Sequence, residues 1–439
     1  MSLSEIATPD FKDTPYWWEA APPDLEGDAP PPEEVDVAVI GSGYTGMSAA
    51  LELAREGLRV LVMDAERFGE GASTRSGGMV SGGVNVGKGG DSEQRYGKDR
   101  VEAMIEEAGE SYAHFEQLIA REGIDCHYAR TGRFVGAHTP SAHRAQALKV
   151  AALNDHADAG AAIVARADQK GHVNTNYYHG GMTVDRSGGV HPALYHKGLR
   201  QACLRAGVIL SGNCRVHKVD GSAGDLTLRT SRGVVRAREV VLGTNGYTGR
   251  EMPWHHRRVI PIASYIIATE PLGEERIREL FPDLRMIADT KRVLYYFRPS
   301  PDGTRVIFGG RASFRSRTAV ETAPVLYKYM LGIFPQLAGV KISHGWTGNV
   351  AFTFDRVPHM GTIDGVHYAL GCNGSGVVMM SHLGHQTARK ILGKANRPSA
   401  FEGLPFPTNP LYTGTPWFLP TVGAWYQIRD RIDRMMAPA

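Results

Sequence analysis

No stretch of this 439-residue sequence approaches the roughly 18 consecutive apolar residues of a membrane-spanning helix. Cysteine is scarce. Cys126, Cys203, Cys214 and Cys372 are scattered and form no CxxC pair, which excludes a disulfide framework. An excess of one charge is missing too: 49 Lys and Arg against 46 Asp and Glu leave +3, too balanced for a nucleic-acid-binding surface. The 17 histidines include no HExxH, and His255-His256 sits beside Trp254, Arg257 and Arg258 in a basic turn, so no metal site is expected. Residues 1–13 lack the charged-then-apolar layout of a secretory signal. With 42% apolar and 22% charged residues, the expectation is a reduced, cytoplasmic globular protein of two or three domains. Glycine is what the chain has in excess, at 52 residues. That is about 12%, against an average near 7%. No collagen-like period accompanies it, so tight turns and close backbone approaches to a ligand are the expected cause.

Residues 1–34 read as a leader, interrupted by Pro22-Pro23 and Pro30-Pro31-Pro32, with Tyr16-Trp17-Trp18 as an apolar anchor onto the body. Residues 35–40 (VDVAVI) then form a strand, an Ala/Leu-rich helix runs to about residue 56, and residues 58–63 (LRVLVM) form a second strand. This βαβ unit begins a parallel sheet and sets the class as α/β. Val101, Met104, Ala108, Tyr112, Phe115 and Leu118 make one apolar stripe of a helix over 98–122. A strand over 131–137 and a helix over 140–167 follow. His191-Pro192 opens another helix that Gly207 ends. Short strands are expected at 215–219, 225–230, 234–237 and 239–243, and an antiparallel sheet from 259–268, 293–298 and 304–308. The division this suggests is a discontinuous nucleotide-binding domain (35–90, 188–250 and 345–395) and a second domain (91–187 and 251–344), with a tail from 396 to 439. In the tail, Trp425, Tyr426, Ile428, Ile432 and Met435 alternate with Arg429, Arg431 and Arg434, an amphipathic helix suited to docking on the body or lying on a membrane.

The strongest motif is Gly41-Ser42-Gly43-Tyr44-Thr45-Gly46, which follows a buried strand, opens a helix and precedes an acid, Asp64, at the end of the next strand. Gly41 permits the tight turn, Gly43 lets the backbone approach a pyrophosphate, and Gly46 lets helix and strand pack closely. The helix N-terminus offers free N–H groups and about half a positive charge to the phosphates. Asp64 can accept the ribose hydroxyls. This pattern binds a dinucleotide, NAD or FAD.

A second glycine-rich loop, Gly69-Glu70-Gly71-Ala72-Ser73-Thr74-Arg75-Ser76-Gly77-Gly78-Met79, lies just beyond Asp64-Ala65. Further on come Val216, the turn Gly243-Thr244-Asn245-Gly246-Tyr247, the segment Phe308-Gly309-Gly310-Arg311, the segment Trp346-Thr347-Gly348, and Gly371-Cys372-Asn373-Gly374-Ser375-Gly376-Val377-Val378 before a helix. In this order the motifs resemble the D-amino-acid oxidase superfamily of FAD-dependent amine oxidases, nearest its gamma-glutamylputrescine oxidase-like branch. The resemblance spans about residues 35–400. It implies a Rossmann-like FAD-binding domain of the GR2 type with an inserted α+β substrate domain built on an antiparallel sheet. It also implies that the 69–79 loop follows the pyrophosphate and ribityl chain to the ring, and that the helix after Gly376 faces the flavin. Ser76 stands where the family usually has asparagine. No cysteine occurs between Trp346 and Pro358, where relatives attach the flavin, so the FAD is expected to be non-covalent.

The resemblance further implies oxidation of a small-molecule amine. A hydride passes from the carbon beside the nitrogen to the flavin, the imine hydrolyses, and oxygen is reduced to hydrogen peroxide. The catalytic candidates are Tyr296 and Trp346 as walls and Arg311 as a fork for a substrate carboxylate, with Arg133 as a further substrate candidate. Each has a plain alternative: core aromatics for the rings, an acid-paired arginine for Arg311. Ile307 falls where relatives carry a lysine implicated in oxygen activation, which leaves open a dehydrogenase that passes electrons to a quinone or carrier protein. A catalytically silent flavin-binding subunit is a third reading.

Overall fold

Residues 37–40 and 60–63 are apolar without alternation, and such strands need cover on both faces. A computed structural model, describing residues 1–82 and 91–436, supplies that cover. Val37, Val39 and Val62 pack with Met47, Leu51, Tyr195 and Leu199 of the helices Tyr44–Arg55 and Pro192–Arg205. Ala38, Ile40, Leu61 and Met63 join the cluster on the opposite side. The strands Glu34–Ile40, Val60–Met63, Ile209–Ser211 and Val366–Leu370 run parallel around the C-terminal half of Gly233–Leu242. Val216–Ser222 and Asp225–Thr230 extend this eight-stranded sheet as an antiparallel meander.

A nine-stranded sheet is built on the alternation expected of strands with two different faces. Its order is Ala7–Lys12, Ile342–Phe352, Ile260–Thr269, Val306–Gly310, Tyr295–Pro299, Met286–Asp289, Arg133–Gly136, Gly181–Val184, Ala161–Val164. Tyr265, Ile267, Phe297 and Phe308 point to one side, under Leu326 and Met330 of the helix Ala319–Ile333. Ile266, Ala268, Ile307, Trp346 and Tyr296 point to the other, toward the glycine-rich loops. The described residues are thus mixed α/β, with two large sheets and a two-stranded ribbon of Met79–Ser81 and Ser187–Gly189.

Several expectations are corrected. The helix foreseen over 140–167 ends at Ala157, because Asp158 takes a left-handed cap (φ 46°) and Gly160 also turns left-handed. Strand Ala161–Val164 follows, fixed by reciprocal bonds between the Asn154 amide and Ala161. The two strands expected at 234–237 and 239–243 are one continuous strand, Gly233–Leu242. The strands foreseen at 259–268, 293–298 and 304–308 do pair antiparallel, and the sheet they belong to also contains two parallel pairings, Ala7–Lys12 with Ile342–Phe352 and Met286–Asp289 with Arg133–Gly136. Two segments lie in it that were placed elsewhere: residues 7–12 of the leader, and residues 345–352, expected in the nucleotide domain.

The tail forms a helix, Leu419–Met435, whose inner side docks on the body. Asp430 and Asp433 bind Arg292, and Gly423 packs against Phe314 with no room for a Cβ. Its outer side exposes Trp425, Ile428 and Met435. No helix among the described residues is long and apolar enough to cross a membrane.

One buried carboxylate ties the long helix Lys98–Glu122 to the C-terminal part of the chain. Glu107 accepts from His382 (3.1 Å), from the Ser399 hydroxyl (2.8 Å) and from the Ala400 N–H. Burial opposes its ionisation, but these donors outweigh burial and hold its pKa below the ordinary value. Replacing Glu107 by Gln is expected to lower unfolding stability at pH 7 by about 1.5–3 kcal/mol. A depressed carboxylate contributes fully above its unfolded pKa of about 4.3, and that contribution is lost as pH falls through the folded value. The gap between wild type and variant should therefore close below about pH 4 in denaturant titrations; a gap that persists in acid would contradict this role.

Candidate cofactor and substrate site

Between the two sheets lies a cavity of about 710 Å³, a volume typical of ligand sites. At its nucleotide end, Gly41 is left-handed (φ 99°), and a Cβ there would press on the Gly243 backbone at 3.2 Å. A Cβ on Gly46 would collide with the Gly41 carbonyl, so Gly46 serves the packing of turn on helix and does not line the cavity. Gly41, Gly43, Tyr44 and Thr45 line it, at the N-terminus of the helix Tyr44–Arg55. The Tyr44 N–H donates to the Ser73 hydroxyl at 3.2 Å and the Tyr44 hydroxyl to the Ser73 carbonyl at 2.6 Å, joining the first turn to the second loop.

Asp64 and Ala65 follow at the next strand end. The Asp64 carboxylate accepts from the Ser42 N–H (2.9 Å), the Ser42 hydroxyl (2.6 Å) and the Glu66 N–H (3.1 Å). Burial nevertheless pushes its pKa above the ordinary value. Of about four acceptor sites on a carboxylate, three are engaged, leaving one rather than two for a ribose hydroxyl. Val216 lies nearby, beside the Arg215–Glu66 ion pair (2.7 Å).

The second loop shows how a backbone is prepared for a ligand. Its outward carbonyls are held by buried donors: Trp17 Nε1 on Ser76 (2.9 Å), Trp346 Nε1 on Arg75 (2.9 Å), and Arg298 Nη1 on Gly78 (2.9 Å) and on Val190 (2.8 Å). Arg75 itself binds the Glu70 carbonyl (2.8 Å) and stacks over Trp18 at 4.4 Å. Ala72, Ser73, Arg75, Ser76, Gly77, Gly78 and Met79 all line the cavity. Trp346 does not, which corrects its expected place as a pocket wall. Its ring is buried against Trp17, 6.2 Å between centroids, and its role is to hold the loop. Trp17 and Arg298 were missed as site-forming residues. The usable signal for Arg298 is its spacing two residues from Tyr296 on one strand, which puts both on the same face.

A third glycine corner completes the cradle. The Asn245 side chain accepts the Gly371 N–H at 2.9 Å, and Asn245 and Gly371 are both left-handed. Thr244, Asn245 and Gly246 line the cavity with Gly374, Ser375, Gly376, Val377 and Val378 at the start of the helix Gly376–Ile391. A Cβ on Gly374 would meet nothing within 4 Å, so the cavity is open there. Three glycine corners and two helix N-termini along one elongated cavity fit a dinucleotide with two phosphates.

At the far end Tyr296 lies between Gly77 and Gly309, neither of which could carry a side chain beside its ring without displacing it, and its hydroxyl meets Ser264 at 2.8 Å. Burial raises its pKa to about 12. Five arginines line the cavity, and three are neutralised: Arg75 by Glu70, Arg215 by Glu66, and Arg292 by Asp430 and Asp433. Arg311 has no acid partner among the described residues; its guanidinium lies over the rings of Phe314 and Phe352, each 5.2 Å away. Arg133 is 7% exposed and likewise unpaired, with its Nε left without a hydrogen bond. Burial lowers both arginines to about 10. Ile307 packs into the Trp17–Trp346 cluster, and Cys372 lies buried at the cavity edge. His138, Asp430 and Asp433 bring ligand atoms within 4.8 Å of one another, but Arg292 already occupies both aspartates.

Replacing Trp346 by Phe keeps a large ring and removes the N–H, leaving the Arg75 carbonyl without that donor. Such a loss is worth roughly 1–3 kcal/mol, so retention of the dinucleotide should fall about tenfold or more, read as flavin content after dialysis. Undiminished retention would remove the clamp role.

The comparisons with known proteins agree with this geometry. Residues 36–390 match the family model described as DAO, FAD dependent oxidoreductase. A probable oxidoreductase OrdL of Haemophilus influenzae is 32% identical over 393 residues, covering 86% of this chain and 87% of that protein. The gamma-glutamylputrescine oxidoreductase of Escherichia coli is 31% identical over 413 residues, covering 90% and 93%. The crystal structure of L-proline dehydrogenase from P. horikoshii superposes with a TM-score of 0.71 at 19% identity, covering 84% of this chain and 96% of that one. With the cradle formed and the match running through all its corners, the chain belongs to the DAO family of FAD-dependent oxidoreductases.

Proposed function

We propose that the protein oxidises a primary or secondary amine that carries a carboxylate, of the N-substituted amino acid or gamma-glutamylated polyamine type. The observation that carries this reading is Arg311, a half-buried arginine lining the cavity beside Tyr296 with no acid among the described residues to neutralise it. A substrate carboxylate would supply the missing charge through a bidentate pair. FAD, when bound, supplies a two-electron acceptor that takes a hydride from the carbon next to nitrogen. The nitrogen lone pair becomes part of the imine, and water then gives a carbonyl compound and a free amine.

The chain's residues prepare the amine for this step. An alkylammonium resembles lysine, with a pKa of about 10.4, and must lose a proton before its lone pair can assist. Tyr296, Phe352 and Leu294 offer an apolar lining, and the nearby Arg311 cation further disfavours the ammonium form. No general base is required. Non-covalent retention of FAD is supported by the lack of cysteine from Trp346 to Pro358. Four free, buried thiols accord with a cytoplasmic setting.

Oxygen is the proposed acceptor of the electrons, reduced with two protons to hydrogen peroxide. A second reading, delivery to a quinone or carrier protein, is favoured by Ile307, which puts an apolar side chain where relatives carry a cation. Peroxide formed in step with substrate consumption in air separates the two.

Under anaerobic conditions, amines bearing a carboxylate should bleach the flavin and their decarboxy analogues should do so far less well. Replacing Arg311 by Met should raise KM for the carboxylated amines by roughly 10- to 100-fold, corresponding to about 1.5–3 kcal/mol for a charged hydrogen-bonded pair. Flavin content should stay unchanged. Failure of every amine to bleach the flavin would overturn the proposal.

A further inference from the structure

Arg133 is the first residue of the strand Arg133–Gly136 of the nine-stranded sheet, just after the left-handed Gly132. Its guanidinium lines the same cavity as Arg311, is more than nine-tenths buried, and forms no hydrogen bond or ion pair with any described residue. The segment 83–90, outside the described residues, has no Asp or Glu in its sequence. A cation withdrawn from water without a counter-charge is unfavourable, so its neutralising group is expected from a ligand.

The strand register fixes the relation of the two arginines. Gly309, Tyr296, Ala288 and Val135 are successive cross-strand partners and share one face. Arg311 lies two residues beyond Gly309, and Arg133 two residues before Val135. Both therefore share the face of Tyr296, on opposite sides of its row. Three strand spacings and about four residues of rise separate their Cα atoms by about 20 Å. Side chains on one sheet face stand roughly perpendicular to it and do not converge. One carboxylate is too small to bridge them.

From this placement we infer that Arg133 is a second anion site and that the substrate is an amine with two separate carboxylates, one on each arm, its reacting carbon over Tyr296. The inference rests on the amine-oxidation reading and narrows it. A gamma-glutamylated polyamine, with a single carboxylate, would leave Arg133 unneutralised and be a poor substrate.

The test uses the FAD-loaded protein and non-oxidisable probes. Linear α,ω-dicarboxylates of increasing length, and monocarboxylates of matched length, are titrated by calorimetry. Affinity for the dicarboxylates should peak at one length and exceed that of the matched monocarboxylate by about tenfold or more. Arg133→Met should erase that advantage, leave monocarboxylate binding and flavin content unchanged, and Arg133→Lys should restore part of it. Equal affinity of mono- and dicarboxylates for the wild-type protein would overturn the inference without recourse to any variant. Bleaching by one- and two-carboxylate amines with equal efficiency would overturn it while sparing amine oxidation. Dicarboxylate binding that depends on Arg133, with no amine bleaching the flavin, would uphold the anion site and overturn the reaction.

Discussion

The site depends on a clamp applied to the outside of one loop. Trp17, Trp346 and Arg298, from three distant parts of the chain, bind the carbonyls of Ser76, Arg75 and Gly78. Each bond is modest, but all three donor side chains are buried, and a carbonyl left unpaired beside them is costly. With its carbonyls held outward, the glycine-rich stretch presents a fixed backbone to the cavity. Gly77 and Gly78 also leave room for Tyr296 and for the Val190 backbone behind them. The loop thus joins the nucleotide cradle to the nine-stranded sheet, so that cofactor and substrate are positioned by the same element.

Electrostatics divides the cavity. At the nucleotide end the cations and acids are matched: Arg215 with Glu66, Arg75 with Glu70, Asp64 with Ser42 and the Glu66 N–H. At the sheet end the balance is lost, because Arg133 and Arg311 have no acid partner among the described residues and burial weakens their hold on a proton. Under the proposed function, an anionic ligand would restore neutrality there, and the same positive field would disfavour an ammonium and favour the neutral amine.

What local chemistry dictates was legible in the sequence. The βαβ unit and the tight turn at Gly41 follow from short-range rules, while the corner before the helix at Gly376 comes from the family resemblance. Tyr296 and Arg311 are placed over the flavin by the family resemblance, and both line the cavity. The clamp was not legible. Trp17 lies in a segment that reads as a proline-broken leader, and its partner Ser76 becomes its neighbour only after Ala7–Lys12 joins the far sheet. Trp346 was misjudged for the same reason: its strand faces the loops, but Trp17 already covers that point. The overlong helix at residues 140–167 failed on Asp158, a residue that seldom takes the left-handed cap position.

The most direct measurement is a crystal structure of the protein purified with its FAD. The account predicts the dinucleotide stretched from Val216 past the Gly41–Gly46 turn, its ring against the backbone of Gly77, Gly78 and Met79, with all three carbonyl contacts of the clamp intact. A ring seated away from that backbone, or clamp bonds broken in the bound state, would contradict it.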